Sequence, residues 1–149
     1  MLNKISAILF IILLIQFAGC GSDPEPIQYG KDNCTYCMML ISDSKYGAEL
    51  ITQKGKIFKY DSIECLAAYS HKINPDKINS MWVVNFSRPN DLIKVDDSHF
   101  LLSEKLRSPM GLYLSAYKEE NNLLEIKKQY GGKQIKWNEL VKYVNDEWN

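Results

Sequence analysis

The chain has 149 residues, of which 46% are hydrophobic and 24% are charged, a balance typical of a globular protein with a packed core. Its 18 basic residues balance its 18 acidic residues, and no basic stripe marks a surface for phosphate backbones, so we exclude a nucleic-acid partner. After removal of a targeting segment, this length predicts one modest domain or two very small lobes.

The N-terminus has the features of an export signal. Lys4 supplies a positive charge, and the unbroken apolar run that follows, residues 7–15, is typical of a signal peptide. A membrane span needs roughly 20 apolar residues, so this run is too short to be one. Small residues, Ala18 and Gly19, precede Cys20 and resemble the bacterial lipobox, in which the cysteine receives diacylglycerol. We therefore predict lipidation of Cys20.

The predicted organisation has three parts. Residues 1–19 are the lipoprotein signal peptide, and residues 20–30, which are polar and proline-rich, form a lipidated flexible tether. Residues 31–149 form the folded domain. No aspartate follows Cys20 directly, so we expect a location in the cell envelope, anchored by lipid in the outer membrane and facing the periplasm.

A β-hairpin is the first element predicted after the tether. Residues 48–52 alternate loosely between apolar and polar side chains, and residues 56–60 do so again. Between them, Gln53-Lys54-Gly55 has the composition of a tight turn. The two segments should therefore pair as antiparallel strands.

A helix and a third strand complete the first predicted lobe, residues 31–88. Asp61 can cap a helix over residues 61–72, with Glu64 three positions later as its capping-box partner. Residues 81–86 are rich in β-branched and aromatic side chains and predict a strand. This lobe therefore has the order β-β-α-β.

The second predicted lobe, residues 89–149, contains the same element types. Strands are expected near residues 92–95, 100–102 and 111–117. A helix should follow, capped by Asn121 or Asn122 and stopped by Gly131-Gly132. The last helix is amphipathic, with Trp137 to Trp148 along its apolar face. The segment from Gly132 to Asn138 also resembles the segment from Gly55 to Asp61, 77 positions earlier. This match predicts a duplicated architecture. The fold class is thus α+β, with two small similar β-β-α-β lobes packed together.

The densest sulfur cluster in the chain is Cys34-Thr35-Tyr36-Cys37-Met38-Met39. Thiols at positions i and i+3 can face one point in space. A structural disulfide, a redox centre and a structural zinc site are all compatible with this spacing, although a zinc site would need Cys65, His71 or His99 to complete it. Cu(I) is also compatible, because it prefers thiolate and thioether ligands. The spacing alone leaves these alternatives open.

Cys65 lies in the middle of the predicted helix, beside Leu66 and Ala67. We interpret it as a small buried apolar residue. His71 and His99 are interpreted as surface residues or as residues with ordinary hydrogen-bond partners, and not as ligands.

Two motifs resemble those of a known family. The run from Asp32 to Met39 is similar to the Asp-x-Cys-x-x-Cys-x-Met core that follows the lipoprotein signal in the NosL family. Ser108-Pro109-Met110-Gly111 resembles the second signature of that family, and Gly131-Gly132-Lys133 and the strand before Trp137 also fit. The similarity spans most of the chain after the tether.

NosL proteins are copper-binding lipoproteins associated with the maturation of nitrous oxide reductase. The resemblance therefore implies a Cu(I) chaperone and not an enzyme, acting with nitrous oxide reductase or its ABC-type maturation machinery in assembly of the copper-sulfide centre. It also implies a fold of two similar lobes. The ligands that it implies are Cys34, Cys37, Met39 and Met110, with Met38 at a variable position. The rival interpretations are an exported thiol-disulfide oxidoreductase using Cys34 and Cys37, or a lipoprotein stapled by their disulfide.

Overall fold

The computed structural model describes residues 23–148. The predicted signal peptide and the predicted lipidation site at Cys20 lie outside these residues. The described elements, in chain order, are β1 (Ala48–Thr52), β2 (Ile57–Tyr60), α1 (Ile63–Lys72), β3 (Ile78–Val84), β4 (Leu92–Lys94), β5 (His99–Leu102), β6 (Leu114–Tyr117), α2 (Glu120–Tyr130), β7 (Lys133–Ile135) and α3 (Trp137–Trp148).

The first sheet has the strand order β2-β1-β3-β4, and every pair is antiparallel. The predicted hairpin is confirmed, since β1 and β2 pair with Ala48 opposite Tyr60 and Ile51 opposite Ile57. Gly55 turns the chain between them with a φ of 76°, a conformation that glycine adopts without steric cost. Strand β4 also belongs to this sheet, so the sheet extends beyond residue 88, where the first lobe was predicted to end.

Helix α1 begins two residues later than predicted. Its N-cap is Ser62, whose Oγ accepts a hydrogen bond from the backbone N–H of Cys65 at 3.4 Å. The prediction that Asp61 caps the helix is therefore wrong, and Glu64 is not a capping-box partner. Asp61 and Ser62 are both good capping residues, and the extended backbone continues to Ser62, which has a φ of −156°. Asp61 consequently lies in the interior, only 3% exposed.

The second sheet has the order β6-β5-β7, again antiparallel. With α2 between β6 and β7, this lobe repeats the β-β-α-β order of the first, so the duplicated architecture and the α+β fold class are confirmed. The 77-residue offset is wrong, however. It aligns β2 with β7, whereas the topology makes β6 the equivalent of β2 and β7 the equivalent of β3. A strand that leads into a helix occurs twice in the chain, and this local similarity produced the match.

The two lobes are joined by backbone pairing and by helix packing. The Phe86 N–H donates to the Ala116 carbonyl at 2.8 Å, next to a parallel bridge between Asn85 and Ala116. Helix α1 packs against α3. The first six residues of α1, from Ile63 to Ala68, are all buried, so this part of the helix is enclosed on every side. One hydrophobic core therefore draws on both lobes.

The segment before the first sheet is attached to the domain from Glu25 onward. The Glu25 backbone N–H donates to Glu49 Oε2 at 3.0 Å, and Lys59 Nζ donates to the Pro26 carbonyl at 3.2 Å. Ile27 is only 9% exposed. Within residues 23–148, no helix is long and apolar enough to cross a membrane.

Candidate metal centre

The two cysteines of the sulfur-rich motif lie on a compact turn. Asn33 and Leu40 form an antiparallel bridge at its base. Inside the bridge, the Cys34 N–H donates to the Met39 carbonyl at 2.8 Å, and the Met38 N–H donates to the Cys34 carbonyl at 3.0 Å. The Cys37 N–H points at the Cys34 sulfur, 3.5 Å away. These contacts hold both thiols on one side of a closed turn, which we call the cysteine turn (residues 33–40).

The cysteine turn is docked onto β2. The Thr35 N–H donates to the Lys59 carbonyl at 2.8 Å, and Lys59 Nζ forms an ion pair with Asp32 at 2.9 Å. Asp32 also accepts the backbone N–H of Gln28 at 2.8 Å. The aspartate of the motif thus orients the cysteine turn. Lys59 lies two residues before Asp61, so the same docking brings the turn to the start of α1.

That docking assembles a group that the spacing of the cysteines did not reveal. The Sγ atoms of Cys34, Cys37 and Cys65 and a carboxylate oxygen of Asp61 all lie within 4.8 Å of one another. Cys34 and Cys65 are fully buried, whereas Cys37 is half-buried. None of the three cysteines is in a disulfide. We call this group the thiol pocket (Cys34, Cys37, Asp61 and Cys65).

The dimensions of the thiol pocket suit a single metal ion. Two sulfurs bound to one metal at about 2.3 Å each cannot be more than about 4.6 Å apart, so small side-chain movements would bring these atoms onto a common ion. Asp61 Oδ1 is a buried acceptor without a hydrogen-bond partner among residues 23–148. An unpaired buried acceptor is costly, and a bound cation would remove that cost.

The sulfur atoms of the thiol pocket differ in acidity. The Cys65 thiol donates a hydrogen bond to the Cys34 sulfur, and backbone N–H groups assist it, so the pKa of Cys34 falls to about 6 despite its burial. Burial raises the pKa of Cys37 to about 11. The pKa of Cys65 is raised because its proton is shared with Cys34 and because it is buried. At neutral pH the pocket therefore holds one thiolate and two thiols, and thiolate is the form that binds metals.

The methionines of the two motifs lie in different environments. Met39 is 47% exposed, and Met38 is 74% exposed with a φ of 64°. Leu40, next to them, is 49% exposed, so the surface beside Cys37 is apolar. Met110 is partly buried against the hydrophobic core that includes Cys34 and Cys65. The outer surface of the turn therefore offers two thioethers to solvent.

Sequence reasoning missed Asp61 and Cys65 as parts of the site. The prediction that Cys65 is buried is confirmed, but its sulfur is in the thiol pocket. The available signal was the spacing of Asp61 and Cys65, which are four residues apart across the start of the helix. Residues i and i+4 share a face of a helix, so the two side chains can meet. His71 is exposed and His99 is half-buried, and neither belongs to the pocket.

Comparisons with known proteins identify relatives of this chain. The sequence model of the NosL family matches residues 26–144. The crystal structure of the copper chaperone NosL from Shewanella denitrificans is similar in fold, with a TM-score of 0.66 and 21% sequence identity, over 80% of this chain and 96% of the other. No match was found among curated proteins.

Proposed function

Since the chain belongs to the NosL family, we propose that it is a Cu(I)-binding lipoprotein that carries copper and catalyses no reaction of its own. The observation that carries this proposal is the convergence of three thiols and one carboxylate within 4.8 Å. Soft thiolate ligands favour Cu(I), zinc and iron–sulfur clusters over hard cations, and Cu(I) is the softest of these ions. The similarity to a structure described as a copper chaperone supports the same assignment.

The ligands divide into an inner and an outer set. Cys34, Cys37 and Cys65 hold the ion in the thiol pocket, and Met39 and Met110 supply thioethers during entry or release. Exposure increases along the cysteine turn, from Cys34 in the core through half-buried Cys37 to Met39 at the surface. Thioethers are neutral and bind more weakly than thiolates, so copper can pass by ligand exchange from the inner set to an incoming partner.

A thiol-disulfide oxidoreductase is the second candidate function, and the lowered pKa of Cys34 is the observation that favours it. An attacking thiolate must also reach the disulfide of its substrate. Cys34 is fully buried, while the half-buried Cys37 has a raised pKa and is largely protonated at neutral pH. Acidity and access therefore lie on different cysteines. Metal binding is favoured because a small ion can enter where a protein disulfide cannot.

The cellular setting is part of the proposal. A lipid on Cys20 would anchor the chain in the outer membrane, with the domain facing the periplasm. The recipient of the copper would be nitrous oxide reductase, during assembly of its copper-sulfide centre, or the ABC-type machinery that matures it. The family assignment supports this recipient.

Anaerobic competition against a Cu(I) chelator, with zinc present in excess, tests the proposal. The reduced full-length protein in detergent should retain one Cu(I) and release zinc, because three sulfur donors favour the softer ion. A Cys34→Ala variant is the matched control and should lose most of this affinity. Retention of stoichiometric zinc without measurable competition for Cu(I) would replace the proposal with a structural zinc site.

A further inference from the structure

The loop from Ser108 to Tyr113 carries Met110 and is tied at its base by one side chain. Ser108 Oγ accepts a hydrogen bond from the Tyr113 N–H at 2.9 Å and donates one to Glu64 Oε1. The Gly111 N–H closes the loop further by donating to the Ser108 carbonyl at 3.1 Å. Ser108 is 2% exposed and Glu64 is fully buried, so water does not compete for these bonds.

We propose that the hydrogen bond between Glu64 and Ser108 is a positioning device that fixes the loop bearing Met110 relative to helix α1, which bears Cys65. This inference rests on the proposed copper-binding function. Glu64 directly precedes Cys65 on α1, and Ser108 lies two residues before Met110. The bond therefore connects the backbone that bears an inner thiol to the loop that bears an outer thioether.

The loop needs such a tie because its backbone is strained. Gly111 has a φ of 80° and Tyr113 has a φ of 62°. A left-handed conformation is easy for glycine but costs about 1 kcal/mol or more for a residue with a side chain. It persists only where the surroundings hold it. Here the Tyr113 N–H is bound to Ser108 Oγ, and its carbonyl accepts the Ser103 N–H at 3.0 Å.

A buried carboxyl group is an expensive way to fill this space. An apolar side chain of similar size would avoid the loss of hydration, so stability alone does not favour glutamate at position 64. A hydrogen bond has a directional requirement that apolar packing lacks. Glu64 therefore specifies where the loop lies, and the position of Met110 follows from it.

The first test is a double-mutant cycle on Cu(I) affinity, using the full-length protein in detergent. Met110→Leu should weaken binding about tenfold, and Ser108→Ala should weaken it by a similar factor because Met110 is released. The double variant should bind no more weakly than Met110→Leu alone. Ser115→Ala, which removes another buried serine hydroxyl in the second sheet, is the matched control and should bind as the wild type does.

The second test observes Met110 directly, by NMR of the protein with ¹³C-labelled methionine methyl groups. Cu(I) should shift the Met110 methyl resonance in the wild type but not in Ser108→Ala. Glu64→Gln keeps a carbonyl acceptor for Ser108 and should preserve the shift, whereas Glu64→Leu should abolish it. A purely structural role would not produce this difference between folded variants.

The outcomes separate this inference from the proposed function. Wild-type protein that binds no Cu(I) overturns the proposed function and this inference with it. Binding by the wild type, with equal affinity and an equal Met110 shift in Ser108→Ala, overturns the positioning role alone. The positioning role is also overturned if Ser108→Ala weakens Cu(I) binding by the same factor in the Met110→Leu variant as in the wild type. The serine would then act on something other than Met110.

Discussion

The ring of Tyr36 stacks on the ring of Trp148, with centroids 5.8 Å apart and planes inclined by only 13°. Tyr36 lies between the two cysteines of the cysteine turn, and Trp148 is the last residue of α3. Lys72 approaches the same tyrosine, with Nζ 5.0 Å from the ring centroid and 3.2 Å from the hydroxyl. The C-terminal helix therefore covers the turn that presents the thiols.

Trp148→Ala should destabilise the protein by about 1–2 kcal/mol, less than for a fully buried tryptophan because Trp148 is only partly buried. Urea denaturation measures the change. Tyr36→Phe is the control, since it keeps the stacking and loses only the exposed hydrogen bond to Lys72, and it should change stability by less than about 0.5 kcal/mol. Equal losses in the two variants would show that the ring stacking contributes little.

Cys65→Ala should weaken Cu(I) binding by roughly tenfold or more, since about 1.4 kcal/mol of lost ligand interaction is one factor of ten. Chelator competition gives the affinity, and thermal unfolding of the copper-free protein gives the stability. Ala67→Gly on the same helix is a control for helix loosening. A Cu(I) affinity equal to that of the wild type would show that Cys65 is a small core residue and not a ligand.

Cu(I) affinity should rise with pH, because Cys37 and Cys65 hold protons in the free protein and must release them on binding. Both pKa values are raised above the ordinary value for a thiol, so each proton released contributes about tenfold in affinity per pH unit between pH 7 and 9. Release of two protons predicts that Cu(I) affinity rises about a hundredfold per pH unit. In Cys37→Ala this rise should be only about tenfold per pH unit. Affinity that is independent of pH, after correction for the chelator, would exclude both thiols as ligands.

Stability should fall as pH rises from about 4.5 to 7, because burial raises the pKa of Glu49 to about 7. Its folded pKa lies above its unfolded value, so the folded protein holds this proton more tightly and loses that advantage as the pH passes 7. The hydrogen bond from the Glu25 N–H and the charge of Lys59 offset only part of this effect of burial on the pKa. Glu49→Gln should therefore be more stable at pH 8, by about 3 kcal/mol at most.

Denaturant unfolding at pH 5 and pH 8 measures this effect. Glu125→Gln, on the exposed face of α2, is the control and should keep the wild-type pH profile. If Glu49→Gln also keeps that profile, the carboxyl group is hydrated in the folded protein.

Cys20→Ser should move the protein from the membrane fraction to the soluble periplasmic fraction, because the lipid would have no attachment site. Detergent phase partitioning with fractionation measures the change. Cys37→Ser is the control and should stay with the membrane. A Cys20→Ser protein that partitions as the wild type does would require another anchor.

Local sequence patterns predicted most of the secondary structure. The hairpin follows from alternation around Gly55, and α2 ends at Gly131, which has a φ of 73°, as the Gly-Gly pair predicted. The predicted strand 111–117 is shorter in the structure, because Gly111 and Tyr113 both have positive φ and the strand starts at Leu114. Helix α1 begins late because Ser62 caps it in place of Asp61. The predicted caps of α2, Asn121 or Asn122, are wrong, because α2 begins earlier, at Glu120, without a side-chain cap.

The thiol pocket could be predicted only in part. Spacing brought Cys34 and Cys37 together, because a turn of four residues is a local property. Cys65 joins them through contacts between distant parts of the chain, above all the hydrogen bond from Thr35 to Lys59 that docks the turn beside Asp61. The local sequence does not indicate which residue of β2 the turn contacts. A cysteine followed by Leu66 and Ala67 also has the same sequence pattern whether it binds metal or fills the core.

The attachment of Glu25 and Pro26 to the domain would limit how far the thiol pocket can lie from the membrane if Cys20 carries a lipid. Glu25 lies five positions after Cys20, and five residue steps span at most about 18 Å even when fully extended. With a lipid on Cys20, the domain would be confined to a thin layer at the membrane surface. Any copper recipient would then have to approach that surface, so the search between donor and recipient would take place in two dimensions.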